Sequence, residues 1–298
     1  MRLSSTSSQR TYRYLRITIV GAALALVLGL IVVFATDGPV TSISAMFYTS
    51  GRTVFVGAMC AIALALAALS GHSVEQLLLD VAAVFAAMIA FVPTPIAPGD
   101  VSGLMPGCAG GGGCVPQAEW ATVRTGVLVL GIAAVLVALV AVVLARVQRR
   151  VTAGVIAGAA ITGLLGVGLV VWLLVAPDVL AAQGHMVATS GFFGLMVAVA
   201  VISAVTAPHA TRRAVLRASA GTRPEPWRLV YTVVAVGMLV CVAYLLGVAI
   251  VRVAGIDLTG HPWVLGGELG LVAFFAVFWI AQTAQKWDET DPSILPEG

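Results

Sequence analysis

The sequence has few charged residues. They make up 10% of the 298 residues, and hydrophobic residues make up 60%, whereas a soluble domain has roughly 25% charged and 45–50% apolar residues. Water cannot solvate a surface of this composition, but lipid can. The scarcity of charge therefore excludes an ordinary soluble protein. Nucleic acid is excluded as a partner as well, because the basic residues lie beside apolar segments rather than along one face.

Lysine is almost absent. Lys286 is the only lysine among the sixteen basic residues, and Ala, Val, Gly and Leu are abundant. This composition is typical of a high-GC bacterial genome, and we expect an actinobacterial source. The predicted location is then the bacterial cytoplasmic membrane.

The sequence also lacks the common catalytic motifs. It has no Gly-x-Ser-x-Gly, no Gly-x-x-x-x-Gly-Lys-Ser/Thr and no His-Glu-x-x-His, which carry nucleophile, phosphate and zinc chemistry. The His-x-x-x-His spacing of the integral-membrane ceramidases is missing too. We predict no catalytic residue, no metal and no cofactor, although His185 and His261 could still supply metal ligands together with Asp257 or Glu268.

Cysteine is scarce, and the four cysteines fall into two pairs. Cys108 and Cys114 flank Ala-Gly-Gly-Gly-Gly in a predicted outer loop, where a disulfide would contribute roughly 2 kcal/mol by the chain-entropy model. A redox site and free thiols are the alternatives. Cys60 and Cys241 lie inside apolar segments and are expected to be small buried residues.

Long apolar blocks are what the sequence does have. Blocks of about 17–25 residues match a hydrocarbon core of roughly 30 Å, and lipid offers the backbone no hydrogen-bond partner, so each block must be a helix. We predict an all-α bundle of eight transmembrane helices. The third block is the shortest and carries Asp80, which leaves open whether it spans fully. The blocks are 17–35, 53–70, 76–92, 125–145, 153–176, 186–207, 229–251 and 263–283.

Thirteen of the sixteen basic residues lie in alternate gaps and in the two tails, although the gap at 71–75, which belongs to the same set, carries none. Four arginines lie in the N-terminal tail, three at 146–152, five at 208–228, and Lys286 follows the last block. By the positive-inside rule these gaps and both termini are cytoplasmic. The predicted organisation is a cytoplasmic polar tail at 1–16, a transmembrane domain at 17–285 with an outer cysteine-containing loop at 93–124, and an acidic cytoplasmic tail at 286–298.

Ionisable residues cluster near the predicted outer boundary. Glu268 is the deepest, and we expect it to pair with Arg52, Arg124 or Arg252, because charges inside a membrane usually face a partner or a polar cavity. The cluster is either a set of structural ion pairs or a ligand pocket that opens outward. The candidate ligand-binding residues are Tyr48, Arg52, Arg124, Arg252, His261 and Glu268.

Two further features have alternative interpretations. Asp80 either solvates its helix at the inner surface or titrates in a proton-coupled transporter. Gly154 and Gly158 form a small-residue face that allows helices to approach closely, either within the bundle or in a homodimer.

Residues 42–57 carry a Ser-rich segment, an aromatic-Tyr-Thr and Arg-x-x-Phe-Val-Gly. Near the other end of the chain stand Phe275-x-x-Phe278-Trp279-x-x-Gln282-Thr283 and Trp287-Asp288. Both stretches resemble uncharacterised bacterial multi-pass proteins, loosely the Frag1-like and DUF998-type families. The resemblance implies no catalytic residue. It implies an outer-leaflet feature formed by Tyr48, Thr49 and Arg52, in which Arg52 holds an anionic headgroup or carboxylate; alternatively, Arg52 bonds loop carbonyls and Glu268.

The predicted function is binding of membrane lipid or of a membrane-protein partner on the extracytoplasmic side. The alternatives are a transporter of a small or lipidic substrate and a membrane-embedded lipid-modifying enzyme. The position of a cavity in the structure would distinguish these functions. An outward cavity favours a binder or an enzyme, a midplane cavity with broken helices favours a transporter, and no cavity favours a partner protein.

Overall fold

A computed structural model of the chain describes residues 7–69, 74–108, 113–147, 149, 151–218, 227–256 and 261–287. These residues form an all-helical structure in which each predicted apolar block corresponds to one α-helix. Within the described ranges, extended backbone pairs only at two isolated bridges, Val40 with Val101 and Ile96 with Cys114. The helices are α1 Ser7–Thr36, α2 Arg52–Ala68, α3 Val74–Phe91, α4 Trp120–Val147, α5 Ala153–Val175, α6 Pro177–Ala218, α7 Trp227–Val253 and α8 Trp263–Gln285.

Some helices extend beyond their apolar blocks. Helix α1 begins at Ser7 and α6 at Pro177, well before the apolar runs that start at residues 17 and 186. Proline fits the first turn of a helix, where its missing N–H is not needed. Polar residues continue a helix wherever they lie at a membrane surface, so an apolar run underestimates helix length. The stretch before residue 186 is therefore helical rather than a loop.

Six of the helices close into a ring. Going round it, α1 packs on α2, α2 on α3, α3 on α6, α6 on α7, α7 on α8, and α8 returns to α1. Helices α4 and α5 form a hairpin outside this ring and pack against α3. The interior of the ring is apolar, with Phe55, Phe192 and Trp279 among its fully buried side chains.

The α4–α5 hairpin depends on two glycines. A Cβ atom built on Gly166 would lie 2.7 Å from the Gly131 carbonyl oxygen, and one built on Gly131 would lie 2.9 Å from the Gly166 carbonyl oxygen. Any larger residue would push the two backbones apart. This close crossing is the small-residue packing that membrane helices use.

The outer surface of the bundle is apolar. Six helices are long and apolar enough to cross a membrane, and α2 and the apolar part of α3 form two shorter apolar helices. Large hydrophobic side chains such as Leu28, Leu136, Leu164 and Ile250 are more than half exposed. Water-soluble monomers rarely expose an apolar surface of this extent. The structure therefore supports a membrane-embedded protein.

The two ends of the bundle differ. The start of α1 meets the residues after α8, where Arg13 Nε donates to the Trp287 carbonyl at 2.5 Å and Arg16 Nη1 to the Lys286 carbonyl at 3.5 Å. We call this the tail end. Residues 37–51, 92–108 and 113–119 lie at the opposite end, where the Val40–Val101 bridge joins the first two of these segments. We call that the loop end.

The glycine crossing predicts a difference between two neighbouring substitutions. Gly166→Ala should lower the melting temperature of the purified protein by several degrees, because overpacking costs about 1–3 kcal/mol. Gly168→Ala is the matched control, since nothing lies within 4 Å of a Cβ atom there, and it should leave the melting temperature unchanged or raise it. Equal melting temperatures for the two variants would contradict the close crossing.

Candidate functional site

Glu268 is bound by the connection between α1 and α2. Its Oε2 accepts the Ile43 backbone N–H at 2.5 Å, and its Oε1 lies 3.1 Å from Ser44 Oγ. Ser44 begins a short 3₁₀ helix, Ser44–Tyr48, whose first four residues are buried. A carboxyl group at this depth needs such partners, because an unsatisfied polar group in an apolar environment costs several kcal/mol.

His185 extends this cluster into α6. Its Nδ1 lies 2.7 Å from the Val92 carbonyl oxygen and its Nε2 lies 2.9 Å from Ser44 Oγ. A carbonyl oxygen can only accept, so Nδ1 carries a hydrogen and donates to Val92. His185 is 2% exposed. We call Glu268, Ser44 and His185 the polar chain; it joins α8, the α1–α2 connection, α6 and the end of α3.

Asp100 fixes the neighbouring loops. Its two carboxylate oxygens accept the Thr41 hydroxyl and the Ala97 N–H, each at 2.8 Å. The Thr41 N–H donates to the Asp100 carbonyl, and the Thr41 carbonyl accepts the Leu265 N–H, both at 3.0 Å. The α1–α2 connection at Thr41, the loop at 97–100 and the start of α8 at Leu265 surround the polar chain. A second, separate set of hydrogen bonds therefore holds these three segments together.

A cleft of about 440 Å³ lies beside the polar chain, between the loop-end halves of α6 and α7, with α8 behind it. Its charged lining and most of its polar lining lie toward the loop end, and its deeper lining is mainly apolar. The polar and charged residues are Thr41, Ser42, Thr94, Asp100, His185, Arg252 and Glu268 toward the loop end, with Thr189 and Ser190 about one turn deeper on α6. The apolar walls include Phe193, Val242, Leu245, Leu246, Ala249 and Leu271. This distribution matches a molecule with a polar head and an apolar tail.

A smaller cavity of about 50 Å³ occupies the interior of the helix ring. Thr189, Phe193 and Glu268 line both this cavity and the cleft, so these side chains form the wall between them. An aromatic cluster lies at the tail-end side of the cavity: Phe192 packs on Phe275 at 5.6 Å between ring centroids, and Phe275 on Trp279 at 6.3 Å.

Arg52 does not bind Glu268, contrary to the pairing that the sequence suggested. Its Nη2 lies 2.5 Å from Glu119 Oε1, and its Nε donates to the Phe47 carbonyl at 2.6 Å. The guanidinium also lies over the Phe47 ring, 4.5 Å from the centroid. The alternative in which Arg52 bonds a loop carbonyl agrees with these contacts. The side chain connects the start of α2 to the segment that precedes α4.

The other predicted site residues are dispersed. The Tyr48 hydroxyl donates to the Thr94 carbonyl at 2.8 Å, and burial raises the pKa of this phenol. Arg124 is exposed on α4 beside Trp120 and Leu174, away from the cleft. His261 is exposed near Trp263. Of the predicted set, Arg252 and Glu268 line the cleft together.

Three residues at the site were not among the predicted ligands, namely Ser44, Asp100 and His185. Asp100 follows Pro98 and Gly99 in a turn, and such turns often place an Asp against backbone N–H groups. Ser44 lies in the Ser-rich segment that carried the family resemblance. His185 was one of the histidines considered for a metal. Within the described ranges, no three His, Cys, Asp or Glu side chains come close enough to hold a metal ion; Asp257 lies outside those ranges.

The remaining sequence predictions concern packing. Cys108 and Cys114 lie at disulfide distance, with 5.8 Å between their Cα atoms. A Cβ atom on Gly158 would lie 3.5 Å from Asp80 Oδ2, so Gly158 faces α3 inside the bundle. Gly154 is exposed. The homodimer alternative for this glycine pair stays a prediction.

The Asp100 contacts predict a stability effect. Asp100→Asn replaces an acceptor oxygen by an amide, and hydrogen bonds to a charged group contribute about 1.5–3 kcal/mol. The melting temperature should fall by several degrees. Asp178→Asn, at an exposed position on α6, is the control and should change stability by no more than about 0.5 kcal/mol. A melting temperature unaffected by Asp100→Asn would contradict the role assigned to Asp100.

Comparisons with known proteins give no match: no family model, no curated protein and no solved structure is similar to the chain. The resemblance to the Frag1-like and DUF998-type families stays a prediction. A function is therefore inferred from the geometry of the cleft and the polar chain.

Proposed function

We propose that the protein is an eight-span integral membrane protein of a bacterial cytoplasmic membrane, and that it binds a lipid-like amphiphile in the cleft between α6 and α7. The loop end faces the extracytoplasmic side in this proposal. The observation that carries it is the gradient of polarity along the cleft, from charged and hydroxyl groups at the mouth to aliphatic walls below.

The dimensions of the cleft suit an acyl chain in one leaflet. Between Arg252 and Val242, which line its two ends, α7 descends about 15 Å at 1.5 Å per residue. Half of a hydrocarbon core of roughly 30 Å has the same depth. An amphiphile whose tail fills the cleft would hold its headgroup near Arg252, at the level where lipid headgroups begin.

The rim of the cleft is accessible from the side. Met186 on α6 and Leu246 on α7 line it and are 54% and 59% exposed. If the outer surface of the bundle is in contact with lipid, a molecule can enter laterally without crossing the polar loops. Its apolar tail then stays in an apolar environment throughout. Lateral entry favours a lipidic ligand over a water-soluble one.

Several observations support eight spans with both termini on the cytoplasmic side. The contacts of Arg13 and Arg16 with Trp287 and Lys286 bring the two ends of the chain together, which requires an even number of crossings. Helix α2 has 17 residues and α3 has 18, or about 26 Å each, within the range of a spanning helix. Both also belong to the closed ring.

Binding is better supported than transport. The helices that line the cleft are continuous in the described residues, whereas transporter sites commonly use interrupted helices near the midplane. The aromatic cluster of Phe192, Phe275 and Trp279 fills the ring on the tail-end side of the central cavity. The cleft itself reaches no further toward the tail end than Gly194, Val242 and Leu271, so it is confined to the loop-end half of the bundle.

Two neighbouring tryptophan substitutions test the cleft. Ala249→Trp places a large side chain on the cleft wall and should prevent occupation, because the added volume takes the space of the tail. Ile250→Trp is the control, because the Ile250 side chain in the same turn is 68% exposed. This variant should retain the amphiphile as the wild type does. Native mass spectrometry of protein extracted gently from membranes should show a retained amphiphile in the wild type and Ile250→Trp, and none in Ala249→Trp. Equal retention in both variants would contradict the proposed site.

Reporter fusions test the topology. Alkaline phosphatase fused after Met105, in the loop at the loop end, should be active, because the enzyme folds in the oxidising extracytoplasmic space. Green fluorescent protein fused after Gly298 should be fluorescent, since both termini are expected in the cytoplasm. An inactive phosphatase after Met105 would contradict the proposed orientation. Phosphatase fused after Gly298 should be inactive, and activity there together with activity after Met105 would contradict an even number of spans.

A further inference from the structure

The polar chain contains more hydrogen bonds than its side chains have protons to supply. Three contacts connect it: His185 Nδ1 to the Val92 carbonyl, His185 Nε2 to Ser44 Oγ, and Ser44 Oγ to Glu268 Oε1, at 2.7, 2.9 and 3.1 Å. Each contact needs one hydrogen between its two heavy atoms. A neutral imidazole supplies one, the Ser44 hydroxyl supplies one, and an ionised carboxylate supplies none. Two hydrogens cannot make three hydrogen bonds.

The neighbouring backbone supplies no hydrogen between Ser44 Oγ and either of its two partners. The Val92 carbonyl only accepts, and the Ile43 N–H donates to the other oxygen of Glu268, Oε2, at 2.5 Å. The Ser44 backbone N–H is also directed at the Glu268 carboxyl group, not at Ser44 Oγ. Without a third hydrogen, either His185 Nε2 or Glu268 Oε1 would face the lone pairs of Ser44 Oγ. Such an unmade contact is costly for a buried group.

One added proton completes the chain in either of two arrangements. In the first, Glu268 is a carboxylic acid that donates to Ser44, Ser44 donates to His185 Nε2, and Nδ1 donates to Val92. In the second, His185 is an imidazolium that donates from both nitrogens, and Ser44 donates to the Glu268 carboxylate. The two interconvert when the carboxyl proton moves to Ser44 Oγ as the Ser44 proton moves to Nε2. Both arrangements have zero net charge.

We propose that Glu268, Ser44 and His185 form a proton-binding site, in which a single exchangeable proton is shared between a carboxyl group of α8 and an imidazole of α6. The site goes beyond amphiphile binding and does not require it. It lies in the wall between the cleft and the central cavity, because Glu268 lines both. Loss of the proton would leave a net negative charge in that wall.

Among the described residues that line the cleft or the central cavity, two other charged groups are present. Asp100 and Arg252 line the cleft; Asp100 is engaged with Thr41 and Ala97, and Arg252 is exposed at the mouth. The walls that α1, α2 and α3 contribute to the central cavity carry no titratable side chain: they are Ala23, Leu26, Phe55, Met59, Ile62 and Ile89. The shared proton can therefore compensate the Glu268 carboxylate inside the wall itself.

Vibrational and magnetic resonance spectra of the full-length protein test the site. Near neutral pH we expect either the carbonyl stretch of a protonated carboxylic acid, which disappears in Glu268→Gln, or an imidazolium pattern of both ¹⁵N signals of His185. As the pH is raised, the Glu268 and His185 signals should change together in one step, because one proton serves both. An ionised Glu268 beside a neutral His185 near neutral pH would overturn the proposal.

Two serine variants determine whether the proton is shared. Ser44→Ala interrupts the chain, so Glu268 and His185 should then titrate separately, at different pH values. Ser42→Ala is the matched control, because Ser42 Oγ accepts the Ala45 N–H outside the chain, and it should keep the single step. Joint titration that survives Ser44→Ala would overturn the shared proton.

Glu268→Gln keeps the test independent of folding. The glutamine amide can accept the Ile43 N–H with its oxygen and donate to Ser44 with its nitrogen, which reproduces the carboxylic acid arrangement. This variant should fold and should hold His185 as a neutral Nδ1–H imidazole at every pH at which the protein is folded. If His185 in the Glu268→Gln variant still titrates at the pH of the single wild-type step, the proposal is contradicted. If the wild-type protein retains no amphiphile but Glu268 and His185 still titrate in a single step, only the proposed function is contradicted.

Discussion

The structure depends on the hydrogen bonds that Glu268 accepts from the connection between α1 and α2. A polar backbone that turns at the edge of a membrane has no water within reach on its buried side, so its N–H groups need acceptors from the protein. Glu268 supplies the acceptor for the Ile43 N–H. It also contacts the Ser44 hydroxyl, which in turn contacts His185. Through these few atoms α8, α6 and the α1–α2 connection take fixed positions, and the wall between the cleft and the central cavity is formed.

The sequence predicted the helices well, because their positions follow from a local property. Each apolar block corresponds to a helix, and the gaps between blocks fall at the connections. The errors lie where polar residues continue a helix, as at Ser7 and before Met186. The site was harder to predict. The pairing of Glu268 with an arginine assumed that a charge seeks an opposite charge. Its carboxyl group instead contacts the Ile43 N–H and the Ser44 hydroxyl, which lie 225 and 224 residues away in the chain.

The arrangement of the helices explains why a cleft forms where it does. Helices α6 and α7 are consecutive in the chain, and their loop-end halves leave space in front of α8. Helices α4 and α5 pack outside the ring against α3, with α5 also contacting α6, and no residue of either helix lines the cleft. The ring itself is filled by aromatic side chains toward the tail end. The outcome is a recess that opens at the side, carries polar residues toward the loop end and is confined to the loop-end half of the bundle. Such a recess fits the proposed retention of an amphiphile.

The proposal that the cleft holds an amphiphile is tested most directly by an experimental structure of the wild-type protein in lipid nanodiscs, at a resolution that shows acyl chains. Elongated density is expected between α6 and α7, with its polar end beside Arg252 and its tail reaching toward Val242. A cleft closed by direct contact between Leu246 and Met186, with ordered lipid only elsewhere on the surface, would contradict it.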